Sequence, residues 1–261
     1  MSFSPALAHR QRVLAAIATG TATAANALPE IDDANPAAAE YRQLLSSLHN
    51  DLRALHDVQS VQEKIARKAT LIATYLPWVT GAISAGAATD DGPGSAVQDE
   101  IVSTMLVWHL DLCAWSEALL IADHMLRHGV SLPERYKRDV ATLLVDRIAD
   151  TAKEDAAAVP SDVLTAALDL TNGYDMPDQA RAKLHRAIGL DLMAQAETFD
   201  PAAETAAAGG RPALVSAALT SLRHALKFDQ RVGVKKQIEQ LEREEKKLAE
   251  AANAEAAKAQ E

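Results

Sequence analysis

The sequence predicts an all-α fold built from helical hairpins. Three observations carry this: Ala supplies 54 of the 261 residues, aromatic residues only 4%, and no stretch alternates with period two for the length of a strand. Ala is the strongest helix former, whereas strands depend on β-branched and aromatic side chains. The length allows one large domain or two modest ones. Surface scaling gives about 11,000 Å² exposed when folded against about 40,000 Å² unfolded, enough to bury a real core. A single cysteine, Cys113, excludes an internal disulfide framework and any multi-Cys zinc or iron–sulfur site.

Taken in order, the first element is an amphipathic helix over about Pro5 to Thr19. Arg10 and Arg12 before Val13–Ala18, with Ala25-Asn26-Ala27 beyond, mimic a secretory leader. Six apolar residues fall short of the roughly 7–15 that a leader core needs, so the helix is the better reading. No stretch approaches the ~20 apolar residues that span a bilayer, and the expected setting is the cytoplasm. Residues 1–36 thus read as a helix followed by a flexible Thr/Ala linker.

Pro36 stands where an N1 proline starts a helix. Tyr41, Leu45, Leu48, Leu52 and Leu55 then recur at spacings of four, three, four and three, a coiled-coil-like seam two heptads long and a candidate oligomerisation surface. A helix over 61–75 carries Lys64, Arg67 and Lys68, and Pro77 is expected to break it. This segment, 37–88, ends at the loop Thr89–Ser95. Helical patterns follow at about 96–111, 114–128, 136–153, 161–171, 178–196, 212–227 and 231–250. Trp108–Ala122 reads as helix, tight turn, helix, with Ala118 and Ala122 one turn apart for close packing. Ala218-Leu219 with His224 repeats part of that pattern, and Ser221–Asp229 looks like a tetratricopeptide second helix. A helical-hairpin segment over 96–230 and a charged C-terminal helix and tail over 231–261 complete the organisation.

Charge is strongly segregated. The net charge of −10 argues against a uniformly basic nucleic-acid coat. Ala69–Leu126 has no Lys or Arg and seven acids; Asp139–Asp178 has nine acids against Arg147 and Lys153. Basic residues gather at Arg127–Arg138, Arg181–Arg186 and 211–247, where nine basic residues face five acidic ones. Such segregation suits a protein that meets different partners on different faces.

No P-loop or dinucleotide fingerprint occurs, and neither a His-Glu-x-x-His nor a Gly-x-Ser-x-Gly elbow is present. His109 and Asp111 are two apart and diverge on a helix, as do Asp123 and His124. A metal-dependent nuclease needs carboxylates converging on a divalent cation, often with a Lys beside the attacking water. Pro177-Asp178 with Glu245-Lys246-Lys247 is only a superficial match. Asp90-Asp91 sits in a Gly-rich loop and reads as a solvated turn. No catalytic or metal-ligating residue is assigned and no cofactor is evident; Mg²⁺ would enter only with a nuclease activity.

Single-strand binding needs aromatics interleaved with basic residues, which the chain lacks. Duplex binding through phosphates needs only Arg and Lys on suitable helices. The candidates are Arg10 and Arg12; Lys64, Arg67 and Lys68; Arg135, Lys137 and Arg138; and Lys235 and Lys236.

An ordered set of segments over roughly residues 4–247 resembles the small terminase subunit of tailed phages, the peduovirus-type family called the terminase endonuclease subunit. The segments are Ser4-Pro5-Ala6 with Arg12-Val13, Leu76–Ile83, Gln98–Ile101 leading into Met105–Asp111, Ala118–Ala122 with His128–Pro133, Asp175–His185 and Gly233–Arg243. The resemblance implies a homo-oligomeric component of the phage DNA-packaging machine in the host cytoplasm. It would recognise duplex viral DNA at the packaging site and present it to the large ATPase subunit. The family name adds an endonuclease role. Relatives can end in a Lys/Arg-rich tail, whereas residues 248–261 here hold three Glu and one Lys, which shifts phosphate contact to the internal basic clusters. The reading from a different class is a helical-repeat adaptor that binds proteins and never touches DNA.

Overall fold

The computed structural model describes residues 4–20, 36–87, 94, 96–201 and 209–258. They form ten α-helices, with no strand among the described residues: α1 (Pro5–Gly20), α2 (Pro36–Asp57), α3 (Val61–Gly86), α4 (Glu100–Asp111), α5 (Trp115–His128), α6 (Val140–Glu154), α7 (Ser161–Thr171), α8 (Asp178–Glu197), α9 (Gly210–Phe228) and α10 (Lys235–Lys258). The all-α expectation therefore holds; the tetratricopeptide-like detail is not confirmed. The expected linker and, apart from Gly94, the loop at 89–95 lie outside the described residues. No helix is long and apolar enough to cross a membrane among the described residues. The chain divides into two compact units, residues 1–143 and 144–261.

In the first unit α4 is enclosed along its length, with every residue from Ile101 to Leu110 buried. Its start is fixed by Asp99, whose carboxylate accepts from the backbone N–H of Ile101 (2.8 Å) and Val102 (3.1 Å). This is an N-cap that satisfies two donors the helix leaves unpaired. The other oxygen of Asp99 accepts from the indole N–H of Trp78 on α3 at 2.7 Å. Burial pushes the Asp99 carboxyl above its usual range. Tyr41 of α2 lies 5.6 Å from the Trp78 ring, and its hydroxyl accepts from the Glu100 N–H at 3.2 Å. The side chain of Gln98 bonds Ser131 in both directions, at 2.8 Å each. The segments 76–83, 98–101 and 128–133 are thus one hydrogen-bonded knot around the start of α4.

Asp99→Ala removes the cap, about 0.5–2 kcal/mol, and leaves a buried indole N–H unpaired, about 1–3 kcal/mol. The expected loss of unfolding free energy is about 2–4 kcal/mol in urea, followed by tryptophan fluorescence. Asp99→Asn keeps an acceptor for the cap but sets an amide donor against the Trp78 indole N–H, so it is expected to lose stability as well. A change in the alanine variant below about 0.5 kcal/mol would contradict this role for Asp99.

Pro77 does not end α3, contrary to expectation. The helix runs through it to Gly86, because its C-terminal half buries Trp78, Val79, Gly81 and Ala82. That burial outweighs one missing N–H bond and the ring clash. At Gly81 the helix meets α1 so closely that a Cβ would lie 2.2 Å from the Arg12 carbonyl oxygen. The α2 seam faces inward for much of its length: Tyr41, Leu44, Leu48 and Leu55 are buried, with Leu45 and Leu52 half-buried beside them. α5 ends in a left-handed Gly129 (φ 67°), with Val130 N–H bonding the Met125 carbonyl at 2.8 Å. The turn into α5 bends at Cys113, whose φ is 53°. Ala118 and Ala122 are both fully buried, as their spacing predicts.

In the second unit α8 and α9 pack tightly at Gly189, where a Cβ would lie 2.4 Å from Leu222. α10 returns along α9 and closes a core of Ala196, Leu214, Val215, Ala218, Leu219, Leu222, Val234, Ile238 and Leu241. Ile238 and Leu241, with the half-buried Leu248, lie on one stripe of α10, leaving its other sides to charge.

Candidate nucleic-acid interface

The structure separates the basic clusters read from the sequence, and carboxylates of the chain occupy several of them. Lys68 pairs with Asp111 at the end of α4. Arg135 pairs with Glu100 at 2.6 Å and donates to the Thr104 hydroxyl at 2.8 Å, at the start of α4. Burial works against ionised Glu100, but the bonds from Arg135 and His49 outweigh it and hold the carboxyl below its usual range. These two sites are the two ends of one helix, about 16 Å apart along its axis.

Arg67 pairs with Glu63 at 2.9 Å across one turn, and Arg10 lies 3.7 Å from the buried Glu40. Arg12 is exposed on α1 opposite Gly81, which stands about 25 Å along α3 from Lys64. Lys137 and Arg138 are exposed between α5 and α6. The first-unit candidates are therefore scattered positions with several charges already paired.

The second unit gathers basic residues into one face. On α10, Lys236, Gln240, Arg243 and Lys247 recur at spacings of four, three and four, within an arc of about 60° and over about 16 Å. Arg211, in the first turn of α9, lines the same open groove of about 700 Å³. Glu239 and Glu244 are its carboxylates, so four cations stand against two acids. Glu244 is bound by Arg211 at 2.6 Å and Glu239 lies 3.8 Å from Arg243. Beyond the groove, Glu242 is bound by Arg223 at 2.8 Å. Among the described residues neither Lys236 nor Lys247 has an ion-pair partner. The positive end of α9 adds to the field beside Arg211. Such a face can neutralise phosphates along a backbone without reading bases.

Of the sequence candidates, only Lys236 lines this face; Lys235, one residue earlier, points about 100° away around the helix. Arg211, Arg243 and Lys247 are the members that reading by adjacent charges misses. For Arg243 and Lys247 the signal is the helical spacing from Lys236; Arg211 joins them only through the packing of α9 on α10.

Two carboxylates and a lysine also meet in this unit. Lys183 on α8 lies 3.0 Å from Asp146 and 2.9 Å from Asp150, one turn apart on α6. The ammonium occupies the space between the carboxylates, so the trio ties α6 to α8. No group of three His, Cys, Asp or Glu residues that could hold a metal ion occurs among the described residues.

Comparison with known proteins adds a lineage to this geometry. The family described as phage small terminase subunit matches residues 45–179. The protein named terminase, endonuclease subunit, of Escherichia phage P2 is 34% identical over 244 residues, covering 92% of this chain and 85% of that protein. No solved structure matches the chain.

Proposed function

The chain belongs to the phage small terminase subunit family, and from that membership we propose that it binds duplex viral DNA at the packaging site and delivers it to the large ATPase subunit in the host cytoplasm. The observation that supports DNA binding in this acidic protein is the α9–α10 face, where Arg211, Lys236, Arg243 and Lys247 outnumber two carboxylates. Lysines and arginines spaced along one helix face follow a phosphate backbone and release its condensed counterions, which makes binding strong at low salt and weak at high salt. Arg12, Lys64, Lys137 and Arg138 are secondary contacts in this reading. Self-association through the α2 margin, where Leu45 and Leu52 remain half-buried, belongs to the same proposal. The cutting step in the phage P2 relative's name is carried as a step of the assembled terminase, with Mg²⁺ the ion that such chemistry uses.

A mobility-shift titration of the full chain against duplex from the phage DNA end tests the reading. A shift is expected at 50 mM salt that weakens by about tenfold or more at 200 mM. No shift at either salt would overturn DNA binding and favour the protein-only adaptor.

A further inference from the structure

We infer that a second cleft, between α7, α8 and α9, is a binding site for a phosphate group. The inference stands apart from DNA binding on the α9–α10 face and needs no DNA to be tested. The cleft has a volume of about 390 Å³ and holds Arg181 and His185, one turn apart on α8, facing His224 and Lys227 on α9. Asp169 of α7 is the one carboxylate among its lining residues. Besides the two imidazoles, the lining carries two cations, Arg181 and Lys227, against that one acid.

The two imidazoles are held in place by ring contacts. His185 stacks on Phe228 at 5.7 Å with 11° between planes, and meets His224 edge-on at 5.2 Å. Arg181 donates to the Tyr174 carbonyl, which steadies its guanidinium at the cleft. Burial, then the charges of His224 and Arg181, brings His185 down to about 4. Arg181 and His224 thus raise the potential at that ring, the field an anion would relieve. A guanidinium, an ammonium and two imidazoles lining one cleft from two helices are the donor types that suit a tetrahedral oxyanion with several acceptor oxygens. Leu168 and Phe228 give the cleft an apolar wall, as small-ligand sites have.

Histidine ring signals of the full chain, observed by NMR during titration with sodium phosphate against sodium chloride of equal ionic strength, provide the test. Two of the eight histidines, His185 and His224, are expected to shift and saturate with phosphate, while His124 and His128 stay with the chloride control. Arg181→Ala with Lys227→Ala is expected to weaken the effect on the order of tenfold or more. The single charge reversal Lys227→Glu, at an exposed position, is expected to abolish it and guards against a folding defect at Arg181. A response equal to that in chloride, or one unchanged in Lys227→Glu, would overturn the site. Duplexes of one sequence with 5′-phosphate or 5′-hydroxyl ends identify the source. Competition by the phosphorylated duplex alone assigns the site to a DNA end. Equal competition by both assigns it to the backbone, and competition by neither assigns it to free phosphate.

Discussion

Leu48→Asp is expected to abolish the fold of residues 1–143. Leu48 is completely buried on α2, in the same core as Tyr41, Leu44 and Leu55. The substitution forfeits about 2–3 kcal/mol of apolar transfer and buries a carboxylate at a fully enclosed position, at a cost of several kcal/mol more. A domain whose whole stability is about 5–15 kcal/mol does not withstand that sum. The near-UV circular dichroism of the buried Trp78, Trp108 and Trp115 reports it, because loss of the unit erases their fixed environment. Leu52→Asp, at a half-buried position, is expected to lower the melting temperature by a few degrees only. If Leu48→Asp instead kept the tryptophan signal and only dissociated an oligomer, the buried side of α2 would lie between chains.

Replacing Lys236, Arg243 and Lys247 together by Ala is expected to weaken binding to packaging-site duplex on the order of 100-fold near 0.15 M salt, with one phosphate neutralised by each side chain. The three residues are exposed on α10, away from buried Ile238 and Leu241, so circular dichroism and melting should match the unaltered chain. Replacing Lys64, Arg67 and Lys68 by Ala is expected to do much less. Arg67 and Lys68 already pair with Glu63 and Asp111, and only Lys64 of that group has no paired carboxylate among the described residues.

Much of the fold was legible because helices write their own ends. Pro36 opens α2, Gly129 closes α5, and Ser161–Thr171 follows the apolar periodicity from end to end. Pro77 was misleading because local propensity lost to burial: Trp78 and Gly81 hold α3 together from outside the helix. The site was less legible. Arg135 and Lys68 look like phosphate ligands, yet their partners lie 35 and 43 residues away, a separation that leaves no local pattern. The α10 face was readable in principle, since 236, 240, 243 and 247 follow the helical repeat, but Lys235-Lys236 draws the eye as a pair although the helix turns the two apart. The cleft at His185 needed the fold, because its side chains come from three helices. The net charge of −10 similarly averages an acidic middle against the basic face of α9 and α10.

Whether the α9–α10 face grips DNA is decided by the salt dependence of binding. The logarithm of the binding constant is measured against the logarithm of salt concentration, for the full chain and for the variant with Ala at 236, 243 and 247. A slope shallower by about 3 is expected in the variant, about one for each phosphate left without its cation. Equal slopes for the two proteins would contradict this and remove the α9–α10 face from DNA binding.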